Sequence, residues 1–163
     1  QFQQDVVDVI VSSDQYLDEI PSSEMESYLV HNAPWNLAMH REDELSQQSS
    51  IQKSMLEGRI VVTMYDGSAA NIRDYYQKVF PFRDFIYVNL FATKMTMIRA
   101  NLGVGVVPSF ISLPAEMDIC LRPLSPAYTP RKFYILCKRD HPSTLVHEFV
   151  RRCAQAFEAR NFQ

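Results

Sequence analysis

The strongest constraint in this chain is an alternation. Short β-branched runs are separated by amphipathic stretches of about ten residues, and neither kind can bury its apolar face alone. Residues 6–11, rich in valine and isoleucine, read as a buried strand that Ser12, Ser13 and Asp14 bring to an end. Residues 26–30 and 35–39 read as two more strands, parted by the turn-like His31-Asn32-Ala33-Pro34. Residues 51–56 are a short helix candidate with Gly58 just past its end. Residues 60–65 form the next strand, followed by a helix over 69–80 with Ile72, Tyr75, Tyr76 and Val79 on one face. Ser68 is its expected N-cap and Pro81 its stop. Strands over 85–90, 104–107, 119–124 and 133–137 complete the set. Thr93 is read as the cap of a helix through Met95, Ile98 and Ala100, closed by a left-handed Asn101. Ser143 caps the last helix, with Leu145, Phe149, Val150, Cys153 and Phe157 as its apolar stripe. This order predicts an α/β fold built from βαβ units around a parallel sheet.

Length and composition narrow the function classes. The 163 residues suffice for one domain or two small lobes, and 47% hydrophobic against 21% charged residues is globular usage, not disorder. A net charge of −3 lacks the basic footprint of direct nucleic-acid binding. The three cysteines, Cys120, Cys137 and Cys153, are odd in number and form no C-x-x-C, which fits small buried residues in a reducing compartment. No apolar run is long enough to span a membrane. The first residues, Gln1-Phe2-Gln3-Gln4-Asp5, resemble neither a signal peptide nor a natural start, so the chain reads as part of a longer protein.

No reactive constellation stands out. There is no G-x-S-x-G elbow, P-loop, H-E-x-x-H or dinucleotide fingerprint. His141 and His147 are spaced off a shared helical face, and 40–44 reads as an exposed charged connection. Gly103-Val104-Gly105-Val106 follows a helix and enters a strand, the reverse of a phosphate-cradling loop. It reads instead as a tight joint, with Gly103 for backbone freedom and Gly105 for close packing. Asp66-Gly67-Ser68 lies between a strand and a helix start, where free N–H groups and the helix dipole suit a carboxylate or another anion. Thr93 opens a second helix, and Ser12 and Ser13 end another strand, in the same manner. Ligands of open α/β sheets gather at such strand ends.

Residues 97–108, Met-Ile-Arg-Ala-Asn-Leu-Gly-Val-Gly-Val-Val-Pro, carry a resemblance. An apolar helix running into Gly-x-Gly-apolar-apolar-Pro resembles the signature of the effector-binding domain of LysR-type transcriptional regulators, with Asn101 where the family usually has Gly. Val7-Asp8-Val9-Ile10-Val11 is similar to the family's Asp-containing strand, and residues 37–46 to its crossing strand, with Asp43-Glu44 replacing His-Pro. Asp66-Gly67-Ser68, the Cys120-Leu121-Arg122-Pro123-Leu124 edge, the return crossing over 133–140 and the last helix follow in register.

The resemblance implies a two-lobed, periplasmic-binding-protein-like (type 2) effector domain. The first lobe would use residues 1–43 and 135–163 and the second 44–134. The first lobe would be incomplete, lacking an opening strand–helix–strand and leaving unpaired strand edges. A small-molecule effector would bind between the lobes, with Ser12, Ser13, Asp66, Gly67, Ser68, Phe91 and Thr93 as contacts. Asp66 would disfavour an anion and makes an amine-bearing or neutral effector an alternative. Met39, His40, Arg41, Leu136, Cys137 and Lys138 would form the hinge. The implied protein is a cytoplasmic homodimer or homotetramer that meets DNA only through a winged helix-turn-helix domain outside this chain. No catalytic residue, cofactor or metal ligand is expected. The rivals are a periplasmic-type solute-binding protein, which a secretory signal upstream would reveal, and a small α/β enzyme, which lacks the needed acid–base pair.

Overall fold

The computed structural model describes residues 7–17, 22–64, 73–74, 77–125 and 130–160. The chain divides into two compact units, Gln1–Ala33 with Pro130–Gln163, and Pro34–Thr129.

In the first unit, β8 (Arg131–Lys138) is the central strand, flanked antiparallel by β1 (Val9–Ser13) and β2 (Met25–Ala33). The two-residue period of a strand sorts the side chains of β8 onto two faces. Phe133, Ile135 and Cys137 join Tyr28 and Val30 against the last helix, α3 (Thr144–Arg160). Tyr134 and Leu136 join Ile10, Leu17 and Met25 on the other face, where Leu17 ends the short helix α1 (Asp14–Leu17). The register of β2 shifts between Leu29 and His31. Among the described residues, no further strand pairs with the outer edge of β1 or β2.

The second unit centres on β3 (Trp35–His40), held antiparallel between β6 (Gly105–Pro108) and β7 (Ile119–Pro123). β4 (Ile60–Met64) and β5 (Asp84–Val88) pair in parallel. Residues 73–74 and 77–79, between them, are helical. A parallel bridge between Val61 and Val104 joins this pair to the segment entering β6. Two core layers result. Leu37, Met39, Val61, Phe85, Val104 and Val106 pack with Ile51, Leu56 and Phe80. Ala38, Val62, Val88 and Val107 pack under Met95 and Ile98 of α2 (Phe91–Arg99).

Several expectations change here. The sheets are mixed: parallel pairing holds for β4, β5 and the Val61–Val104 bridge, whereas β3 and β8 run against both their neighbours. The units divide ten residues earlier at the first crossing and five earlier at the second than the 43/44 and 134/135 boundaries expected. The reason is pairing: β3 lies wholly in the second unit's ladder, and β8 begins at Arg131 in the first unit's. The helix expected over 51–56 is only a 3-10 turn, Lys53–Leu56, because Ile51 bridges to Leu124. On α3 the buried stripe is Val146, Val150, Cys153 and Ala154, while Leu145 (72% exposed), Phe149 and Phe157 face outward.

Candidate functional site

The site residues expected from sequence fall on both units. Ser12 and Ser13 are the last two residues of β1, opposite Tyr134 and Phe133, and Ser13 is buried. The next residue, Asp14, opens α1 and accepts from Arg131 Nη1 at 2.9 Å and from the Lys132 amide at 3.4 Å. Phe91 is the first residue of α2 and is 40% exposed. Thr93 stands inside the first turn and is not the cap. The N-cap position is Leu90, whose side chain makes no capping hydrogen bond. An aliphatic side chain cannot accept from the amides of the first turn, so the positive end of α2 is open to another acceptor. Asp66, Gly67 and Ser68 lie outside the described residues.

The hinge residues lie inside the units. Met39 is fully buried and pairs with Cys120, His40 pairs with Ile119, and the Arg41 amide donates to the Asp118 carbonyl at 2.8 Å. Leu136 and Cys137 are fully buried in β8, paired on both sides, and Lys138 pairs with Met25. Strand pairing holds five of them in place, and the Arg41 amide bond holds the sixth just past the end of β3. The chain passes between the units at Ala33–Pro34 and at Thr129–Pro130 instead.

A lysine in the first turn of α2 escaped the sequence reading. Lys94 is 4% exposed, packs among Met95 and Ile98, and donates from Nζ to the Val106 carbonyl at 2.7 Å. Among the described residues no carboxylate pairs with it, and burial pushes its pKa down to about 8. Room for its stem comes from Gly105, where a Cβ would stand 2.8 Å from Lys94 Cε. The sequence held a signal for this: Lys94 and Ile98 are four apart, so the lysine shares the helix face of the buried isoleucine.

A second group converges in the first unit, from β2, β8 and α3. The Nδ1 of His147 lies 2.5 Å from Glu26 Oε2 and 3.7 Å from Cys137 Sγ. His147 Nε2 faces the His141 carbonyl at 3.0 Å. Glu26 Oε1 accepts from the Tyr28 hydroxyl at 2.7 Å and from Arg151 Nε at 3.2 Å. The Tyr28 hydroxyl first, then His147 and Arg151, holds the Glu26 carboxyl below the usual range. The His141 carbonyl and Glu26 raise His147, and burial pushes the Cys137 thiol up. Both ring nitrogens of His147 face acceptors, so the imidazolium satisfies both at once. Only the period of β2 hinted at this, since it sets Glu26 on the face of Tyr28 and Val30 that meets α3.

A third feature is a pocket at the amino ends of β4 and β6, lined by Asp43, Arg59, Arg83 and Asn101 among others. Arg59 is engaged there in a two-pronged pair with Asp43, at 2.7 and 3.0 Å. Ligands of open α/β sheets sit at the opposite, carboxyl ends of the strands.

No curated protein matches the chain by sequence. Solved structures match its fold. The reduced OxyR regulatory domain from Pseudomonas aeruginosa is 17% identical with a TM-score of 0.74, over 95% of this chain and 75% of that one. The effector binding domain of QuiR in complex with shikimate is 13% identical with a TM-score of 0.76, over 98% and 75%. The CcmR regulatory domain of Synechocystis PCC6803 in complex with 2-PG is 13% identical with a TM-score of 0.74, over 96% and 76%. The family model described as the LysR substrate binding domain matches residues 1–158. With the Gly-x-Gly joint after α2 and the mixed α/β fold in place, this match over nearly the whole chain shows that it belongs to the LysR substrate-binding domain family, with the family's periplasmic-binding-protein-like type 2 fold.

Proposed function

We propose that this chain is the sensing part of a LysR-type transcription regulator. A small-molecule effector binds between the lobes and favours one arrangement of them, and its differential affinity for the two arrangements is what shifts the equilibrium. DNA is met through a domain outside this chain. The observation that carries the reading is the family match across residues 1–158. The second lobe adds a chemical preference. The open amino end of α2 and the ammonium of Lys94 in the same turn both raise the local potential, which favours an anionic effector over an amine. Phe91 offers the apolar wall and Thr93 a hydroxyl.

A thermal-shift series of small carboxylic acids and amines tests this. At a ligand concentration about 100 times Kd, the gain is about 2.7 kcal/mol, or roughly 5 °C or more for a chain of this size. At least one carboxylic acid is expected to reach that shift, and Phe91→Ala with Thr93→Ala to abolish it. A response confined to amines overturns the anion preference, and no response from either class overturns the sensor reading.

We also propose that the chain self-associates through α3. Leu145 and Phe149, four residues apart, share one helix face and are 72% and 52% exposed. The double variant Leu145→Glu, Phe149→Glu is expected to run as a monomer in light scattering while the parent runs as an oligomer. A parent that is monomeric at high concentration removes this proposal.

A further inference from the structure

The Glu26, Cys137 and His147 cluster has the composition and the outer support of a metal site. Its three donor atoms, a carboxylate oxygen, a thiol sulfur and an imidazole nitrogen, lie within 4.8 Å of one another. They come from three separate elements, so the fold and not a local turn brings them together. The mix selects the kind of ion. Sulfur and imidazole suit borderline-soft divalent transition metals, while magnesium and calcium want a shell of oxygens that a single carboxylate cannot supply.

The surroundings add an independent argument. A histidine that binds a metal through one nitrogen almost always donates from the other to a carbonyl or carboxylate, which fixes the ring. His147 does this: Nε2 points at the His141 carbonyl at 3.0 Å, leaving Nδ1 directed at Glu26 and Cys137. Ligand carboxylates are themselves held by hydrogen bonds. Glu26 is held through Oε1 by Tyr28 and Arg151, which leaves Oε2 turned to the shared point. Cys137 is fully buried, while the side chains of His147 and Glu26 are 14% and 19% exposed, so the cluster opens to solvent on the histidine–glutamate side. A fourth position, for water or an outside ligand, would lie there.

We infer that Glu26, Cys137 and His147 form a binding site for a zinc-class divalent cation that ties α3 to strands β2 and β8. On binding, the thiol proton of Cys137 and the Nδ1 proton of His147 leave to solvent and the cation takes their place, with no change of oxidation state. Affinity therefore rises with pH. Arg151 opposes the cation, since its guanidinium touches the same carboxylate.

The test is a titration of the whole chain, stripped with chelator, using Co²⁺ as the optical probe and Zn²⁺ as the competitor. One Co²⁺ per chain, a thiolate-to-cobalt charge-transfer absorption and its displacement by Zn²⁺ are expected. Cys137→Ser should remove that absorption, and His147→Gln should weaken binding at least as much as the loss of outer support does, about tenfold or more. Tyr28→Phe should weaken binding by about tenfold through the carboxylate it steadies. The exposed Arg151→Gln should tighten it by about threefold, the size of one surface charge contact. Circular dichroism of each variant confirms folding, and the parent titration stands even where a variant fails. Lack of saturable binding by the parent overturns the site. So does binding without a thiolate band, or a band that survives in Cys137→Ser, since the sulfur would then belong to Cys120 or Cys153.

Discussion

Replacing Lys94 by methionine is expected to stabilise the chain by about 2 kcal/mol at neutral pH, and the margin should shrink by about 3 kcal/mol as the solution is made alkaline. Most polar-to-apolar swaps gain little, so the size of this effect needs its physical reason. Lys94 takes a positive charge into the second unit, where among the described residues its acceptor is the Val106 carbonyl, and burial holds its pKa at about 8 against an ordinary 10.5. A separation of about 2.5 units corresponds to about 3.4 kcal/mol of preference against the charged form in the fold. Methionine keeps the length and flexibility of the stem without the charge. It leaves the Val106 carbonyl without its donor, which costs about 1 kcal/mol, so the net gain is the smaller figure.

The pH dependence follows from proton counting. Between about pH 8 and 10.5 the unfolded chain holds a proton on Lys94 that the folded chain has released, so stability rises with pH in that window. Below the folded value both forms are protonated and the penalty is present in full. Above the unfolded value both are neutral and it is gone. Cys137 and Tyr28 are raised in the fold and lose stability over alkaline pH, which masks the effect in the wild-type curve alone. The difference between Lys94→Met and wild type cancels them. Urea denaturation of both chains from pH 7 to about 11 is the measurement. A difference that stays flat across that range would show that Lys94 carries no buried charge.

How much of this was legible in the sequence depends on whether the cause was local. The period-two sorting of β8 follows directly from Phe133, Ile135 and Cys137 against Tyr134 and Leu136. Asn101 was expected to close α2 in a left-handed conformation and does so at φ 57°, with Leu102 donating to the Met97 carbonyl and Asn101 to the Ile98 carbonyl. On α3 side-chain size is a poor guide to the buried face. Leu145 and Phe149 are larger than Ala154 and Cys153, but the buried face is set by which residues meet β2 and β8. Thr93 suits a cap by residue type, yet the helix starts at Phe91, with the short strand β5 already ended at Val88. The Glu26, Cys137 and His147 cluster had no local cause at all. Glu26 and His147 are 121 positions apart, and only the antiparallel pairing of β2 with β8 under α3 brings them together.

The Gly-x-Gly joint yields the second large effect, and it separates two glycines that look alike in sequence. Gly103→Ala is expected to cost about 3 kcal/mol or more, whereas Gly105→Ala should cost about 1 kcal/mol. Gly103 is expected from sequence to serve by conformational freedom, but among the described glycines only Gly58 has a positive φ. What Gly103 supplies is closeness. A Cβ there would stand 2.7 Å from the Ile60 carbonyl oxygen, and that oxygen is the acceptor for the Val104 amide at 2.9 Å. Moving it away breaks this bond and strains its neighbour, Val62 amide to Val104 carbonyl at 2.7 Å. Those two bonds join β4 to the strand entering β6, and Val61, Val62 and Val104 are almost wholly buried there, so water cannot replace the lost partner. At Gly105 the nearest atoms are Ile98 Cδ1 at 2.6 Å and Lys94 Cε at 2.8 Å, the far ends of flexible side chains that can turn aside. In a Lys94→Met background the cost of Gly105→Ala should fall further, since the thioether yields more readily than a stem tethered at Nζ, while the cost of Gly103→Ala should not change. Equal costs at the two glycines, or coupling of Gly103 rather than Gly105 to position 94, would contradict this account of the joint.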